Sequence, residues 1–236
     1  MPAKRLKELG AAYDLSPDAP TRFEALLDLV AHEPTSITSV RAPSRGADAH
    51  VADSLSALVL PEVRRAERIA DLGSGAGFPG LVLAIALPGA HVTVVDSVAR
   101  KGAFLRSAIA ELGLGNAEVV VTRAEAWSAG IGVHDLVTAR ALAPLAVIME
   151  YAAPLLCAEG ALVAWKADVD AGEEAAARVA AELLGLSPPV RHAVEPVPGA
   201  TNRSLYLDLK VGSTPNRYPR RPGMARKHPL GASTGA

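Results

Sequence analysis

Apolar residues follow two different periods along this chain. In the first 66 residues they recur at helical spacing, as at Phe23, Leu26 and Val30, and this pattern predicts helices. From Arg68 onward, short apolar runs alternate with stretches of helical spacing, which predicts strands and helices in turn. The predicted strands lie near 68–72, 91–95, 117–121, 135–139 and 160–164, and the predicted helices near 50–60, 79–87, 98–113, 144–156 and 171–185.

The end of the pattern differs, because two predicted strands follow Pro188 and Pro189 without a helix between them. They lie near 190–197 and 204–211. The alternation upstream favours a parallel sheet with helices on both faces, and the final pair favours a hairpin that adds an antiparallel strand. We therefore predict an α/β fold with a seven-stranded, mostly parallel sheet. Its parts are an N-terminal helical cap (1–66), a core domain (67–212) and a basic tail (213–236) that is expected to be flexible.

The turn between the first predicted strand and its helix carries the strongest chemical signal. It reads Asp71-Leu72-Gly73-Ser74-Gly75-Ala76-Gly77-Phe78-Pro79-Gly80. Glycine at 73, 75 and 77 allows the backbone to take positive φ and lets a ligand approach without a Cβ in the way. Such a turn is expected to present free backbone amides at a helix N-terminus, which suits a nucleotide-like cofactor.

Two carboxylates decide which nucleotide fits. Residues 75–80 also satisfy the G-x-G-x-x-G pattern of dinucleotide enzymes, but Asp71 inside the turn would repel a pyrophosphate. Asp96 closes the second predicted strand, where a carboxylate can accept both ribose hydroxyls. An adenosine that carries a positive charge and no phosphates fits both acids, and S-adenosylmethionine is that molecule. The predicted fold is therefore that of a class I, Rossmann-like methyltransferase. A nicotinamide oxidoreductase is the weaker alternative, because no substrate domain follows the nucleotide-binding half.

Ligands of such sheets bind at the carboxyl ends of the strands, so the residues there are candidate site residues. Ala124 and Glu125 follow the third strand, where an amide or a carboxylate can read the amino edge of adenine, and Phe78 offers an apolar wall. Arg140 ends the fourth strand between two alanines, and Lys166 ends the fifth. A charge at a strand end that opens into a cleft is costly unless it is used. The alternative for Arg140 is a surface ion pair.

The kind of atom that receives the methyl group can be narrowed by excluding the alternatives. Attack on pyrimidine C5 needs a cysteine, and the single cysteine, Cys157, lies in an apolar stretch that is predicted to be helical. Exocyclic amines usually require an Asn/Asp-Pro-Pro-aromatic turn after strand four, whereas residues 139–142 read Ala-Arg-Ala-Leu. An oxygen nucleophile needs a base, and His134 is at the start of its strand rather than the end. A nucleophile that is active when neutral, such as guanine N7, remains.

Composition limits the cellular location of the protein and the kinds of metal and membrane site it can contain. With one cysteine the chain cannot form an internal disulfide, which is compatible with a reducing cytoplasm, and the six histidines have no cysteine partners at zinc spacing. No apolar run approaches the ~20 residues of a membrane span. No secretory signal is expected, since the basic start Met1 to Glu8 is not followed by an apolar segment. We therefore expect no metal, no membrane and a cytoplasmic location.

Charge is distributed unevenly along the chain. Five of the 24 Lys and Arg residues follow Ser213 and no acidic residue does, so the tail carries +5, while the rest, with 19 basic and 25 acidic residues, carries −6. Such an arm can bind a polyanion, or it can be a solubilising extension. Residues 217–221 read Arg-Tyr-Pro-Arg-Arg, which combines guanidinium groups with a ring that can stack on a base. If the arm binds RNA, its removal should weaken RNA binding and leave cofactor affinity unchanged.

Several segments resemble the RsmG (GidB) family of bacterial methyltransferases, which form N7-methylguanosine in the 530 loop of 16S rRNA. The resemblance runs from about Ile37 to Leu230. The matching segments are 37–41, 50–55, 71–80, 96–97, 101–105, 140–141, 165–166 and 217–227. The glycine turn is shared by the whole superfamily, so the specific part of the resemblance is the His-x-x-Asp-Ser segment at 50–54, Arg140 and the tail.

The resemblance implies an enzyme that binds S-adenosylmethionine and methylates 16S rRNA, either naked or within the 30S subunit, and we expect a monomer. The predicted cofactor-binding residues are Asp71, Gly73, Gly75, Gly77, Phe78, Asp96, Ala124, Glu125 and Arg140, with Asp96 on the ribose. The resemblance also implies that His50, Asp53 and Ser54 line the rim near the methyl group. The candidate catalytic residues are His50, Asp53, Arg140 and Lys166.

Two positions depart from the family pattern. Ala49 stands where the family usually has arginine, which removes an expected phosphate or cofactor-side contact, and Ala167 stands where glycine is frequent. Two other functions stay open on the sequence alone. One is a small-molecule methyltransferase, since a core domain does not name an acceptor, and the other is an RNA-binding assembly factor without catalysis. The basic tail argues against the first, and the intact turn with Asp96 argues against the second.

Overall fold

The computed structural model describes residues 2–35, 37–200 and 202–232. The N-terminal part contains α1 (Pro2–Ala12), α2 (Ala19–His32), α3 (Pro43–Gly46), a π-helix (Ala47–Ala52), α4 (Asp53–Leu55), a 3₁₀ helix (Ser56–Val59) and α5 (Pro61–Arg64). The strands are β1 (Arg68–Leu72), β2 (His91–Asp96), β3 (Ala117–Val121), β4 (His134–Arg140), β5 (Leu156–Lys166), β6 (Val190–Val194) and β7 (Arg203–Leu209). The later helices are α6 (Gly80–Ala86), α7 (Ala99–Glu111), α8 (Leu145–Ala152), α9 (Ala171–Leu184) and α10 (Met224–Lys227), with 3₁₀ turns at Ala124–Ala126 and Ser128–Gly130.

The seven strands form one sheet in the order β3-β2-β1-β4-β5-β7-β6. The first five strands in this order are parallel, whereas β7 runs antiparallel to β5, and β6 antiparallel to β7. The predicted α/β fold, with its mostly parallel sheet and final hairpin, is confirmed. The strand order reverses between β1 and β4, and the crevice outside the carboxyl ends of two such strands is where open α/β sheets bind ligands.

Both faces of the sheet are buried, since successive residues of a strand point to opposite faces. Ile69 on β1 packs in an apolar layer with the N-terminal helices, α6 and α7. Its neighbours Ala70 and Leu72 pack in a second layer with α8 and α9. Ala225 of α10 also belongs to the second layer. The N-terminal helices therefore cover one face and the C-terminal segment packs on the other.

The predicted helix at 50–60 is broken into several types. The backbone changes to π geometry at Ala47, returns to α at Asp53 and becomes 3₁₀ at Ser56. The Asp53 amide donates to the carbonyl of Asp48, five residues earlier, which is the bond that defines a π turn. Because π turns occur frequently at functional sites, this segment marks a place where the helix geometry is adapted to a task.

The sequence prediction is wrong at the start of β5. Helix α8 ends at Ala152 and β5 begins at Leu156, so Cys157 lies in a strand rather than in a helix. An apolar run of this length fits either element, and here Leu156 pairs with His134 before an irregularity that shifts the register. Cys157 is half-buried rather than fully buried.

The predicted tail packs against the core domain over its described part, residues 213–232. Tyr218 and Leu230 contact the layer that contains α8 and α9. The last four residues of the predicted tail, 233–236, lie outside the described residues, as does Thr201 in the predicted hairpin connection.

Candidate active site

The glycine turn has the backbone geometry that its sequence predicts. Gly73, Gly75 and Gly77 have φ values of 70°, 60° and 92°, a region that side chains rarely adopt. Space is limiting as well, because a Cβ added at Gly73 would lie 2.7 Å from Leu142 Cδ1, and one added at Gly77 would lie 2.6 Å from Leu81 Cδ1. Substitution at either glycine would force the turn out of shape.

Several amides of this turn are not free, contrary to the expectation. Those of Gly73 and Ser74 donate to the Val95 carbonyl at 2.8 and 3.1 Å. The Gly75 amide donates to Asp96 Oδ2 at 3.0 Å. A pyrophosphate would need these donors, so their use inside the protein favours a cofactor without phosphates.

Asp71 holds the turn from below and does not face the ligand. Its carboxylate is fully buried and accepts hydrogen bonds from Ser74 Oγ at 2.6 Å, Thr138 Oγ1 at 2.8 Å and the Gly80 amide at 3.0 Å. Burial raises the pKa of Asp71, and the three donors oppose that shift. The predicted cofactor contact of Asp71 is therefore corrected to a positioning role.

A cavity of about 300 Å³, here the adenosine cavity, opens beside the turn at the carboxyl ends of β1, β2 and β3. Asp96 lies in its wall with both oxygens oriented, since Oδ1 accepts from the Val98 amide at 2.9 Å and Oδ2 from Gly75. A carboxylate has about four acceptor positions, so Asp96 can still accept two ribose hydroxyls. Ala124 and Glu125 line the same cavity, as predicted for the adenine end, and the residues present fit the nucleoside of S-adenosylmethionine.

The C-terminal segment forms part of this cavity, which the sequence did not predict. The Gly223 amide donates to Glu125 Oε1 at 2.9 Å. Arg226 donates from Nη2 to the Leu142 carbonyl at 2.7 Å and lines the cavity together with Tyr151. The segment thus connects the loops that follow β3 and β4.

A buried ion pair fixes the segment in place. Arg220 donates from Nε to Glu150 Oε1 at 2.8 Å and from Nη2 to Oε2 at 2.5 Å, and this bidentate pairing raises the pKa of Arg220. Glu150 lies on α8 with 0% of its surface exposed. Removal of the segment would leave this carboxylate unpaired, so the expectation that cofactor affinity is independent of the tail no longer follows.

Arg140 is the centre of a second cluster, at the junction of the cap and the sheet. Its Nη1 donates to Asp53 Oδ2 at 2.8 Å and to the Ala49 carbonyl at 3.0 Å, and its Nη2 lies 3.3 Å from His50 Nδ1. The guanidinium carbon lies 5.6 Å from the centroid of the Phe78 ring. Only 16% of the Arg140 side chain and 9% of that of Asp53 are exposed, so this is not a surface ion pair.

His50 is held at both ring nitrogens and so orients Arg140. Its Nε2 lies 2.9 Å from the Val40 carbonyl and therefore carries the proton, which leaves Nδ1 to accept from Arg140. Burial is the main cause that lowers the pKa of His50, and the charge of Arg140 lowers it further. The imidazole stays neutral without a free lone pair, so the predicted catalytic role of His50 is corrected to positioning.

Phe78, which was predicted to offer an apolar wall, is not among the residues that line the adenosine cavity. Its ring stacks on that of His50, with centroids 4.3 Å apart and an angle of 11° between the planes. Both residues line a neighbouring cavity of about 380 Å³ that also contains Asp53 and Arg140. We refer to this space as the His50 cavity.

Lys166 is engaged in an ion pair. Its Nζ lies 2.6 Å from Glu173 Oε1 and 3.3 Å from the Ala143 carbonyl. Glu173 also accepts from the Leu145 amide, so the group ties the end of β5 to the starts of α8 and α9. These contacts hold the ammonium at the end of β5, and the catalytic role of Lys166 stays a prediction.

Ala141 and Arg203 line these cavities as well, and neither was predicted as a cofactor-binding or catalytic residue. Ala141 has a φ of 51° and lines the adenosine cavity, the His50 cavity and a third one of about 250 Å³. A left-handed non-glycine residue stores strain, and such strain clusters at active sites. Arg203, from β7, lines the last two cavities. Neither residue has a local signal, because an alanine and a hairpin arginine are ordinary at those positions.

No helix within residues 2–35, 37–200 and 202–232 has the length and apolar character needed to cross a membrane. The same part of the chain contains no cluster of three or more His, Cys, Asp or Glu side chains arranged for a metal ion.

Two solved structures have a similar fold. The S-adenosylmethionine-dependent methyltransferase SibL in its apo form superimposes with a TM-score of 0.59 at 19% identity over 72% of this chain and 57% of that one. A mutant of MtNAS in complex with S-adenosylmethionine gives a TM-score of 0.54 at 18% identity, covering 81% and 73% of the two chains. These similarities show the fold, which is the class I, Rossmann-like methyltransferase fold.

Within that class, the chain belongs to the GidB family, described as rRNA small subunit methyltransferase G, whose model matches residues 21–195. A relative from Lacticaseibacillus paracasei is 42% identical over 191 residues, which is 78% of each chain. A relative from Lysinibacillus sphaericus is 34% identical over 95% of this chain and 96% of its own. Both relatives carry the name ribosomal RNA small subunit methyltransferase G. The resemblance read from the sequence is confirmed.

Proposed function

We propose that this protein transfers a methyl group from S-adenosylmethionine to N7 of a guanine in the 530 loop of 16S rRNA. The observation that carries the proposal is the family match over residues 21–195, which spans the glycine turn, Asp96 and the Arg140 cluster. The substrate is 16S rRNA, taken either as free RNA or within the 30S subunit. Such a substrate places the activity in the bacterial cytoplasm.

The residues of the chain bind and orient the two reactants. S-adenosylmethionine, when bound, supplies a methyl group on a positively charged sulfonium. Asp96 would hold the ribose, Ala124 and Glu125 the adenine edge, and the Gly73 backbone would allow close approach. Gly73 and Ala141 line both the adenosine cavity and the His50 cavity. Arg140, next to Ala141, lines the His50 cavity, so its guanidinium would orient the groups that lie there. Proximity and electrostatics are the sources of rate enhancement in this scheme.

The arrangement supports a reaction without a general base or a covalent enzyme intermediate. Guanine N7 carries a lone pair and no proton, so no proton has to be removed. His50 is neutral with both nitrogens occupied. Cys157 lies nine residues before the end of β5, which at ~3.3 Å per residue is about 30 Å from the cavities.

RNA binding is assigned to the exposed cations of the tail that are not used in contacts within the protein. Arg217, Arg221, Arg226 and Lys227 are exposed. Of these, Arg226 donates to the Leu142 carbonyl, and the half-buried Arg220 is paired with Glu150, so Arg217, Arg221 and Lys227 are the candidates. The Arg217 guanidinium lies 5.2 Å from the Tyr218 ring centroid, which provides a cation and a stacking surface together. We propose the division into cap (1–66), core domain (67–212) and tail (213–236), and a monomer, because the cap, the sheet and the tail of one chain supply every wall described above.

The test is methyl transfer from labelled S-adenosylmethionine to 30S subunits from cells that lack this modification, with free 16S rRNA in parallel. The product is mapped by strand scission selective for N7-methylguanosine. Label at one guanine of the 530 loop is expected. Tight cofactor binding with no incorporation into either RNA form would overturn the proposal and favour a small-molecule acceptor or a non-catalytic RNA-binding protein.

A further inference from the structure

One oxygen of Asp53 has no hydrogen-bond donor among the described residues. Oδ2 is bound by Arg140, and the Asp53 carbonyl accepts from Trp165 Nε1 at 2.8 Å, so the residue is fixed at two points. Oδ1 is buried and accepts no hydrogen bond, and Arg203 Nε lies 3.7 Å from it, which is beyond hydrogen-bond range. A buried carboxylate oxygen without a donor is unfavourable, which points to a donor that arrives with a ligand.

Asp53 stands where that ligand would lie. It lines both the His50 cavity and the 250 Å³ cavity, and it shares both with Arg140, Ala141 and Arg203. About half of the Arg203 side chain is exposed, so it can turn toward solvent, and the contact that it gives up is the 3.7 Å ion pair with Asp53 Oδ1. The smaller cavity also has an aromatic wall, Trp165, and aromatic walls receive bases that are flipped out of an RNA strand.

The chemistry of N7 transfer restricts how a guanine can be recognised. The usual reader of guanine is an arginine that donates to N7 and O6, but here the N7 lone pair must stay free to attack. Recognition therefore shifts to the opposite edge, where N1–H and the 2-amino group are donors and need an acceptor. A carboxylate oxygen is such an acceptor.

The same contact also assists the reaction. The N7 lone pair forms the new C–N bond while the C–S bond breaks and its electron pair returns to sulfur. The positive charge moves from the sulfonium to the purine ring, and no proton leaves. Hydrogen bonds from N1–H and the 2-amino group to a carboxylate strengthen as that charge develops, so they stabilise the transition state more than the substrate.

We propose that Asp53 recognises the target guanine, with Oδ1 accepting from N1–H and the 2-amino group after Arg203 moves aside. This inference rests on the proposed function, because it takes guanine N7 as the acceptor. Asp168 is the alternative reader, since its carboxylate lines the 250 Å³ cavity, but it is exposed and thus already hydrated.

The test compares guanine with inosine, which keeps N7 and lacks the 2-amino group, at the target position of a ligated 16S rRNA reconstituted into 30S subunits. For the wild type, kcat/KM should fall about tenfold or more on inosine, because a charged acceptor loses one of its two donors, the 2-amino group, and keeps N1–H. Asp53→Asn should be slower on guanine, and its guanine-to-inosine ratio should fall to about two or less. Asp168→Asn should keep the wild-type ratio.

The outcomes separate this inference from the proposed function. Methylation of guanine N7 by the wild type with equal rates on inosine would overturn the role of Asp53 and leave the function intact. The same holds if Asp53→Asn discriminates as strongly as the wild type, or if discrimination is lost in Asp168→Asn instead. No N7 methylation of the guanine substrate would mean that the proposed function itself has failed. The wild-type comparison needs no variant, so equal rates on guanine and inosine would overturn the role of Asp53 even if Asp53→Asn does not fold.

Discussion

Two arginine–carboxylate pairs join distant parts of this chain, and they differ in one oxygen. Arg220 occupies both oxygens of the fully buried Glu150. Arg140 occupies only Oδ2 of Asp53 and leaves Oδ1 without a donor. We call the Arg220–Glu150 pair closed, because both of its carboxylate oxygens are bound. We call the Arg140–Asp53 pair open, because Oδ1 has no donor in the described part of the chain and Asp53 lines two cavities.

The difference distinguishes a pair that holds the fold from one that is available for binding. A closed buried pair satisfies its charges internally, and breaking it leaves one charge stranded. An open pair is oriented by its arginine and still has an acceptor to offer. Changes at Arg220 should therefore act on stability first, and changes at Arg140 on activity first.

The largest effect is expected from Arg220→Met. Because Glu150 would then be buried without a partner, the free energy of unfolding should fall by about 3–5 kcal/mol, as measured by denaturant unfolding. Cofactor affinity, measured by calorimetry, should fall as well, since the Gly223 and Arg226 contacts depend on the same segment. Arg221→Met, at an exposed neighbour, is the matched control. Adding Glu150→Met to the Arg220 variant should recover most of the lost free energy of unfolding. No recovery would argue that the unpaired Glu150 carboxylate is not the cause of the loss.

The second effect concerns Arg140→Lys, which keeps the charge and loses the planar fork. Charged hydrogen bonds of this kind contribute about 1.5–3 kcal/mol each, so kcat/KM should fall by about 10- to 100-fold while the variant still folds. Arg178→Lys, on the exposed side of α9, should be indistinguishable from wild type. Loss of stability equal to that of Arg220→Met would remove the distinction between the two pairs.

Asp208 is a third buried carboxylate to compare with Glu150 and Asp53. Neither of its oxygens accepts a hydrogen bond from the described residues. Burial raises its pKa from 3.8 to about 8. Between these values the unfolded chain has lost the proton and the folded chain still holds it, so stability should fall as pH rises from about 4 to about 8 and then level off. Asp208→Leu should remove this decline and raise the free energy of unfolding at pH 8 by about 1–4 kcal/mol. Unfolding curves at pH 5 and pH 8 provide the check, and an unchanged pH slope in the variant would contradict it.

The smallest effects are expected from the exposed arginines of the tail. Arg217→Ala and Arg221→Ala should each lower the slope of RNA affinity against salt by about one, with stability and cofactor affinity unchanged. Filter binding to 16S rRNA at several salt concentrations measures the slope. Arg178→Ala serves as the control for a change in net charge, and an equal change in slope there would argue against a specific RNA-binding surface.

Local sequence patterns were sufficient for most of the fold. Strand and helix periods, together with the turn chemistry at Gly73 to Gly80, predicted the sheet and its ligand edge, since these signals act between neighbours in the chain. The start of β5 was mispredicted, because the apolar run around Cys157 suits a helix or a strand and the pairing with His134 decided between them.

The site residues also divide into those that local sequence patterns predict and those that only tertiary contacts reveal. Asp96, Ala124 and Glu125 follow strand ends and could be predicted as cavity residues. The resemblance to the family also indicated His50 and Asp53 as site residues. Their contacts with Arg140 could not be predicted from local patterns, because Asp53 lies 87 residues from Arg140 and reaches it only when the cap packs on the sheet. Likewise, Glu125 lies 98 residues from Gly223, so nothing local indicated that the tail closes the adenosine cavity.

The sequence by itself determined the class of fold, the glycine turn and the choice of a phosphate-free nucleoside, because these depend on backbone conformation and on charges close together in the chain. The tertiary structure decided which charged groups are free. It bound His50, Lys166, Arg220 and Arg226 within the protein and placed Asp71 beneath the turn. Whether a polar group can bind a ligand depends on whether folding has already supplied its partner, and that partner comes from a distant part of the chain.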